Sequence, residues 1–544
     1  MPTNRIYTRP PVATGAPATD PLTTPEALAA YLEDAAHSPG GHTTAVLLPR
    51  DEAQLAAALR GATTVLPVGA QSSLTGGATP RGEVVVSLSR FTALELPSPT
   101  RLCAGPGVTL TTVRERLATL GRGYPAVPTY EGATVGGIVS TNAAGATTFK
   151  YGTTRDWVRG LTVMLASGEL LDVERGEVRA DGGRFEIVTR TGVRTVTVPT
   201  YGRPDVPKCS AGYHAAPDMD LVDLFVGAEG TLGVVVSVTL DVLERAPAMA
   251  LALIGLRDEP AAAALTGTLR ALSIETRRTG DPRGLDIAAI EYLDRRCLEL
   301  IREDGADART GVMLPDPVGA VLLAQIEVPP ALTAERLHTE VVAAAAADPP
   351  DTPIVRLCRL LAREDLLDTT ELVPPSEGGR IAALLAFREA APEAVNRRVG
   401  FAKRTVDATI EKTAADMIVP FDRLTESLTL FRGAFASRGL DHALWGHISD
   451  ANLHPNVLPR TADDVRRGQE AIMECGRAVV EMGGSPLAEH GVGRNRVKQA
   501  LLRALRGEGG IAEMRAVKRV LDPAGKLAPG VLFPPTPVAA EVAS

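Results

Sequence analysis

Residues 131–151, EGATVGGIVSTNAAGATTFKY, decide how this chain is read. The stretch is rich in Gly, Ala and Thr, and Lys150 is its one lysine. Gly132, Gly136, Gly137 and Gly145 let a backbone approach a ligand closely, while Thr134, Thr141 and Asn142 offer short polar groups. Backbone N–H groups in such a loop bind a diphosphate without any formal positive charge. An isolated Gly-Gly pair is more often a plain turn. Here a partner lies upstream. Residues 67–77, PVGAQSSLTGG, follow the β-branched run Thr63-Thr64-Val65-Leu66 and form a second small-residue, hydroxyl-rich loop. Two such loops suit a dinucleotide held from both sides. No G-x-G-x-x-G opens a helix after a strand, so a Rossmann cradle is not supported.

The two loops, together with Lys150-Tyr151-Gly152 and residues 227–234 (GAEGTLGV), resemble the p-cresol methylhydroxylase-type FAD domain of the vanillyl-alcohol oxidase superfamily. The likeness runs over residues 43–534 and is strongest to the FAD-linked D-2-hydroxyacid dehydrogenases: D-lactate, D-2-hydroxyglutarate and glycolate types. It implies an α+β chain: a PCMH-type FAD-binding domain (41–246), an α+β cap (247–440) and a C-terminal metal and catalytic segment packed on the flavin (441–534). An N-terminal extension (1–40) and a loose tail (535–544) flank these. FAD is then held by Pro67, Gly69, Ala70, Gln71, Ser72, Ser73 and Leu74 of the first loop. Thr134, Gly136, Gly137, Thr141, Asn142, Gly145, Tyr151 and Gly152 follow from the second, and Glu229, Gly233 and Val234 from the third. Relatives often carry extra glycines where this chain has Gly69-Ala70-Gln71-Ser72-Ser73. Neither of the first two loops contains a histidine or cysteine, so covalent attachment of the flavin is not expected.

With 544 residues, two or three cores are expected. A net charge of −8 argues against nucleic acid and against an anionic membrane surface as partners. No run reaches the 18 or so apolar residues of a membrane span, and the first 21 residues lack the apolar core of a secretory signal. Five scattered cysteines without a C-x-x-C pair suggest neither disulfides nor an iron–sulfur cluster, and point to a reducing cytoplasm. Peripheral membrane contact and a homodimer both stay open.

Residues 1–22, rich in Pro, Thr and Ala, read as disordered or draped on the surface. Asp51 caps a helix from Glu52, and residues 108–120 form another. Pro199, Pro204, Pro207 and Pro217 mark residues 199–220 as an irregular surface excursion. Beyond Pro247, alternating helices and strands suggest a sheet covered on one face. Residues 462–482 form an amphipathic helix whose stripe, Val465, Ile472, Cys475, Val479 and Met482, is core.

Three of the eight histidines fall in two short motifs, WGHISDANLHPN (445–456) and LAEHGVGR (487–494). A two-residue turn at Asp450-Ala451 would set His447 directly opposite His454, with Cβ atoms about 5 Å apart. That spacing fits two imidazoles on one metal, with Glu489 adding an oxygen. It fits equally well a hydrogen-bonded pair of histidines on a strand edge. The resemblance to the family's G-H-x-G-D-G-N-L-H and E-H-G-[IV]-G signatures decides for the metal. It implies His447, His454 and Glu489 as ligands of Zn²⁺ or Mn²⁺, His490 as the base facing substrate, and Asn456 beside the bound hydroxyacid.

Two usual glycines read Ser449 and Ala451, so the turn is expected to differ from that of relatives. Arg388, in AFREA, matches the family arginine that grips the substrate carboxylate, a task suited to a planar guanidinium. The family lysine is Ala414 here, Lys412 fits that place weakly, and Pro392 replaces a hydroxyl-bearing residue. Lys518 and residues 526–530 (KLAPG) resemble the closing motif that returns the terminus to the flavin.

The function so implied is FAD- and metal-dependent oxidation of a D-2-hydroxyacid to the 2-oxoacid, with electrons passed to a quinone or an electron-transfer protein. Alkyl-dihydroxyacetonephosphate synthases and oxygen-using alcohol oxidases share the same domains and stand as the rival readings.

Overall fold

The computed structural model describes residues 2–13, 20–126, 128, 130–315 and 317–534. The expected loose tail at 535–544 lies outside them. On the N-terminal side, the strands Val46–Leu47, Val84–Ser87 and Val65–Val68 make a parallel sheet. The helix Glu52–Gly61 crosses between them, its first turn capped by Asp51, which accepts the N–H of Gln54 at 2.8 Å. A five-stranded antiparallel sheet follows, in the order Leu94–Ser98, Arg101–Ala104, Val234–Asp241, Val158–Met164 and Leu170–Glu174. The small-residue loops leave from these two sheets. Leu527 bridges Val65 in parallel register, so the terminal KLAPG segment docks on the strand that feeds the first loop.

Three sequence expectations are corrected. Arg5–Tyr7 is not draped: it pairs in parallel with Arg184–Thr189, and Gly192–Thr197 completes that sheet. Residues 199–220 are irregular but not superficial, since Lys208, Ser210, Ala211, Tyr213 and Met219 are buried. Prolines remove regular hydrogen bonding, not burial, and the backbone finds other partners. Ser210 N–H donates to Leu487 O, and Arg506 donates to Ala211 O.

The large sheet beyond Pro247 is covered on both faces rather than one. Its order is Thr370–Val373, Ala248–Leu256, Ala320–Val328, Asp286–Asp294, His442–His447, Asn452–Val457 and Thr413–Ala414, with Met417–Ile418 also on Asn452–Val457. Ala250, Ala252 and Ile254 pack on one side with helix Glu259–Thr279. Leu251 and Leu253 pack on the other with Arg295–Glu303 and Gly378–Thr405. Strands buried on both faces lose their polar alternation, which explains the continuous AMALALIGL run. The strand pair holding the histidines is continuous with this sheet. Among the described residues no helix is long and apolar enough to cross a membrane.

Candidate active site

A cavity of about 290 Å³ opens between the loops. Pro67, Gly69, Ala70, Gln71, Ser72, Ser73 and Leu74 form one wall; Thr134, Gly136, Gly137 and Thr141 form the second; Glu229, Gly233 and Val234 close it. Its far end is Glu489 and His490. Gly69 needs to lack a side chain, because a Cβ there would meet Thr134 Oγ1 at 2.2 Å. That hydroxyl is itself buried with no hydrogen-bond partner, an unspent polar group in the cradle wall. Gln71 takes a left-handed φ of 51°, a conformation that favours glycine. Its side-chain amide offsets the strain of about 1–2 kcal/mol by donating to Tyr31 O, Glu33 O and Ala78 O at 3.1–3.2 Å. Small walls, backbone dipoles and a free hydroxyl fit a flavin dinucleotide.

Four expected cofactor contacts stand behind this wall instead of in it. Asn142 ends the helix Val135–Thr141 with φ 49°, and its Oδ1 accepts the N–H of Arg155 at 2.9 Å. Gly145 N–H donates to Thr148 Oγ1. Tyr151 donates its hydroxyl to Glu327, while Lys150 pairs with Asp286 and Glu327, joining this loop to the cap sheet. Gly152, with φ 75°, sits against Asp156.

Glu229 links the cavity to the EHGVG segment. Its two oxygens accept the N–H groups of Val492 and Gly493, each at 2.8 Å. Burial pushes its carboxyl up to about 7, against the pull of those two N–H groups. Gly493 is tightly placed, with φ 56° and Thr75 Oγ1 2.1 Å from any added Cβ.

Beyond the cavity end, the nitrogens of His447 and His454 and a Glu489 oxygen lie within 4.8 Å of one another, all buried. The hairpin that delivers the histidines differs from the expected register. His447 pairs with Asn452 and Trp445 with His454, so the imidazoles are diagonal neighbours, not opposed. They still share a face, with ring centroids 5.3 Å apart. The connection is the 3₁₀ turn Ile448–Asp450 closed by Ala451 at φ 61°, a left-handed conformation that favours glycine.

The His447 ring is oriented from behind by a carboxylate, and a second carboxylate stands near the other two rings. Glu291 Oε1 lies 2.6 Å from His447 Nδ1, leaving Nε2 toward Glu489 at 3.3 Å. Asp416 lies 3.5 Å from His454 Nδ1 and 3.2 Å from His490 Nδ1. It also accepts the backbone N–H groups of Glu489 and His490 and the amide of Asn452. Asp416, His454 and His490 also cluster closely, but the Asp416 oxygens are committed to the Asn452 amide and to two backbone N–H groups.

Burial works against charge at every position here. It lowers His454 to about 3 and lowers His490, so both imidazoles are neutral at pH 7. Burial lowers His447 as well, but Glu291 and Glu489 outweigh it and bring the ring to about 9. Burial would raise Glu489, yet Lys208 and His447 hold it well below the carboxylate range. Two imidazole nitrogens and one ionised carboxylate form a donor set that fits a Zn²⁺- or Mn²⁺-type ion, with His447, at about 9, giving up its proton to become a ligand.

Asn456 donates to His454 O at 2.9 Å, and its Oδ1 is buried without a hydrogen-bond partner. Arg388 is placed differently from the sequence expectation. Its guanidinium is engaged by Glu291 at 2.6–2.7 Å and Glu389 at 2.6 Å, behind His447 and off the cavity wall. In this arrangement it anchors the carboxylate that orients a histidine. Lys412 is half-buried, and desolvation lowers its ammonium to about 8. Sequence reasoning missed Glu291, Asp416 and Lys208. The first two were marked by charge inside apolar runs, IEYLD and DMIVP; Lys208 carried no signal.

The profile of FAD linked oxidases, C-terminal domain, matches residues 258–532, and that of the FAD binding domain matches 43–174. A D-2-hydroxyglutarate dehydrogenase of Xanthomonas citri pv. viticola is 29% identical, over 90% of this chain and 89% of its own. The glycolate oxidase subunit GlcD of Bacillus subtilis is 27% identical (86% and 83% covered), and a D-lactate dehydrogenase of Anaerostipes hadrus 26% (86% and 83%). The crystal structure of p-cresol methylhydroxylase with substrate bound superposes with a TM-score of 0.63 over 95% of this chain and 94% of its own, at 14% identity, which shows a shared fold. With one profile spanning half the sequence and the other the flavin loops, this chain belongs to the FAD-linked oxidases and is an FAD-binding oxidoreductase.

Proposed function

We propose that the protein oxidises a D-2-hydroxyacid to the 2-oxoacid, using FAD in the loop cavity and a divalent cation held by His447, His454 and Glu489. The observation that carries the reading is continuity: Glu489 and His490 belong to the wall of the same cavity that the flavin loops line. The names of the relatives support a hydroxyacid as substrate. Bound flavin supplies a two-electron acceptor, and the cation supplies Lewis acidity at the substrate hydroxyl.

The chain's own part is positioning and the proton. Asp416 fixes Nδ1 of His490, so Nε2 is the nitrogen that accepts the hydroxyl proton. A neutral His490 is required for that role, and burial keeps it neutral. Asn456 Oδ1 accepts from the ligand, and the Arg388–Glu291 pair keeps His447 in one orientation. A quinone or an electron-transfer protein reoxidises the flavin in this reading. The test is anaerobic addition of D-2-hydroxyglutarate, D-lactate or glycolate to the purified yellow protein. Bleaching by one of them is expected; a flavin that none of them reduces would refute the reading.

A further inference from the structure

Lys208 sits inside the site on a segment without regular structure, and its side chain is fully buried. Its ammonium reaches Gly145 O at 3.1 Å, Asn452 Oδ1 at 3.1 Å and Asp450 Oδ2 at 3.1 Å, and donates to Glu489 Oε1. Those four oxygens come from three separate pieces of chain: the second flavin loop, the histidine hairpin and the EHG segment. Lys208 brings a fourth. An ammonium has three N–H groups and no acceptor, so it can hold an all-oxygen cage of this kind together, and here each carboxylate meets a charge.

We propose that Lys208 is a positioning residue for the reaction: it fixes the Glu489 carboxylate and the hairpin against the flavin loop, and so sets where the cation stands relative to the flavin. The proposal rests on the function proposed above. Glu489 Oε1 faces both Lys208 and His447 Nε2, the latter at 3.3 Å. Without the ammonium the carboxylate keeps His447 but loses the partner that sets its orientation. Bare removal of a positive charge would tighten a dication instead, so the two effects have opposite signs and experiment can choose between them.

The test compares wild type with Lys208→Met as FAD-loaded proteins, titrated with Zn²⁺ and Mn²⁺ in competition with a chelator. Flavin reduction is then followed anaerobically at saturating metal. Loss of a carboxylate's outer partner typically weakens metal binding by about 10–100-fold. The expectation is a loss of that size in metal affinity, with FAD content unchanged. The limiting rate of flavin reduction should fall while KM moves little. If Lys208→Met does not accumulate, Lys208→Gln, which keeps a polar head in the cage, takes its place. Equal or tighter metal binding with an unchanged limiting rate would overturn the proposal. A wild type that retains no divalent ion would instead overturn the metal reading on which it rests, so the two failures are told apart.

Discussion

Asp416 grips His490 twice: its Oδ2 lies 3.2 Å from the ring Nδ1 and accepts the residue's own backbone N–H at 2.9 Å. One carboxylate thus hydrogen-bonds the main chain of the proposed base and stands as a charge partner beside its ring Nδ1.

His490→Ala is therefore expected to keep FAD and metal while losing about 10²–10⁴ in the rate of flavin reduction. Asp416→Asn should lose at least tenfold by loosening the same ring. Anaerobic stopped-flow reduction measures both. An unaltered rate in His490→Ala would move the proton acceptor to another group.

Chelation should abolish hydroxyacid oxidation and leave the protein yellow, with Zn²⁺ or Mn²⁺ restoring activity. Glu489→Ala and His454→Ala should lower metal content and activity together, read by elemental analysis beside the assay. Full activity in stripped protein would make the trio structural.

Gly69→Ala should weaken FAD retention, because its methyl meets Thr134 Oγ1 at 2.2 Å. Thr134→Ala in the same chain removes the obstruction, so the double variant should regain flavin. Spectrophotometric reconstitution decides this, and a double variant no better than Gly69→Ala would locate the fault elsewhere.

Glu229 predicts a pH dependence for the flavin-stripped protein. Its folded value of about 7 is raised above an unfolded value of about 4.3, so the folded chain holds the extra proton between them. This contribution is complete below pH 4.3 and lost as pH rises through 7. Partial exposure limits it to the order of 1–2 kcal/mol. Glu229→Gln should flatten that part of the profile in denaturant titrations at several pH values. An equal slope in the variant would assign it to another group.

Ala451→Gly should raise the melting temperature, since relief of about 1 kcal/mol at φ 61° exceeds the added unfolded-state entropy. Calorimetry reads the shift directly, and a lower melting temperature would show that the buried methyl matters more than the backbone.

The flavin loops were legible because close backbone approach demands small residues whatever the remaining fold. The two histidines were legible as a same-face pair, since a shift of two residues preserves parity. Their register was not, because the turn at Ala451 pairs a left-handed alanine with a 3₁₀ connection that composition does not mark. The two-sided burial of the large sheet was written in the apolar run of Ala248–Leu256, where polar alternation is missing. Lys208 and Glu489 stand 281 residues apart, and such ion pairs carry no periodicity to read. Arg388 was found as a residue, but what its guanidinium would meet depended on Glu291, 97 positions earlier.

The histidine hairpin is woven into the cap sheet, and the segment after it in the site is held from both halves: Asp416 takes the N–H groups of Glu489 and His490, Glu229 those of Val492 and Gly493. Opening the two halves would therefore have to break the Glu229 hydrogen bonds or Asp416's hold on the backbone of Glu489 and His490, so the proposed ligand set travels with whichever half keeps this segment.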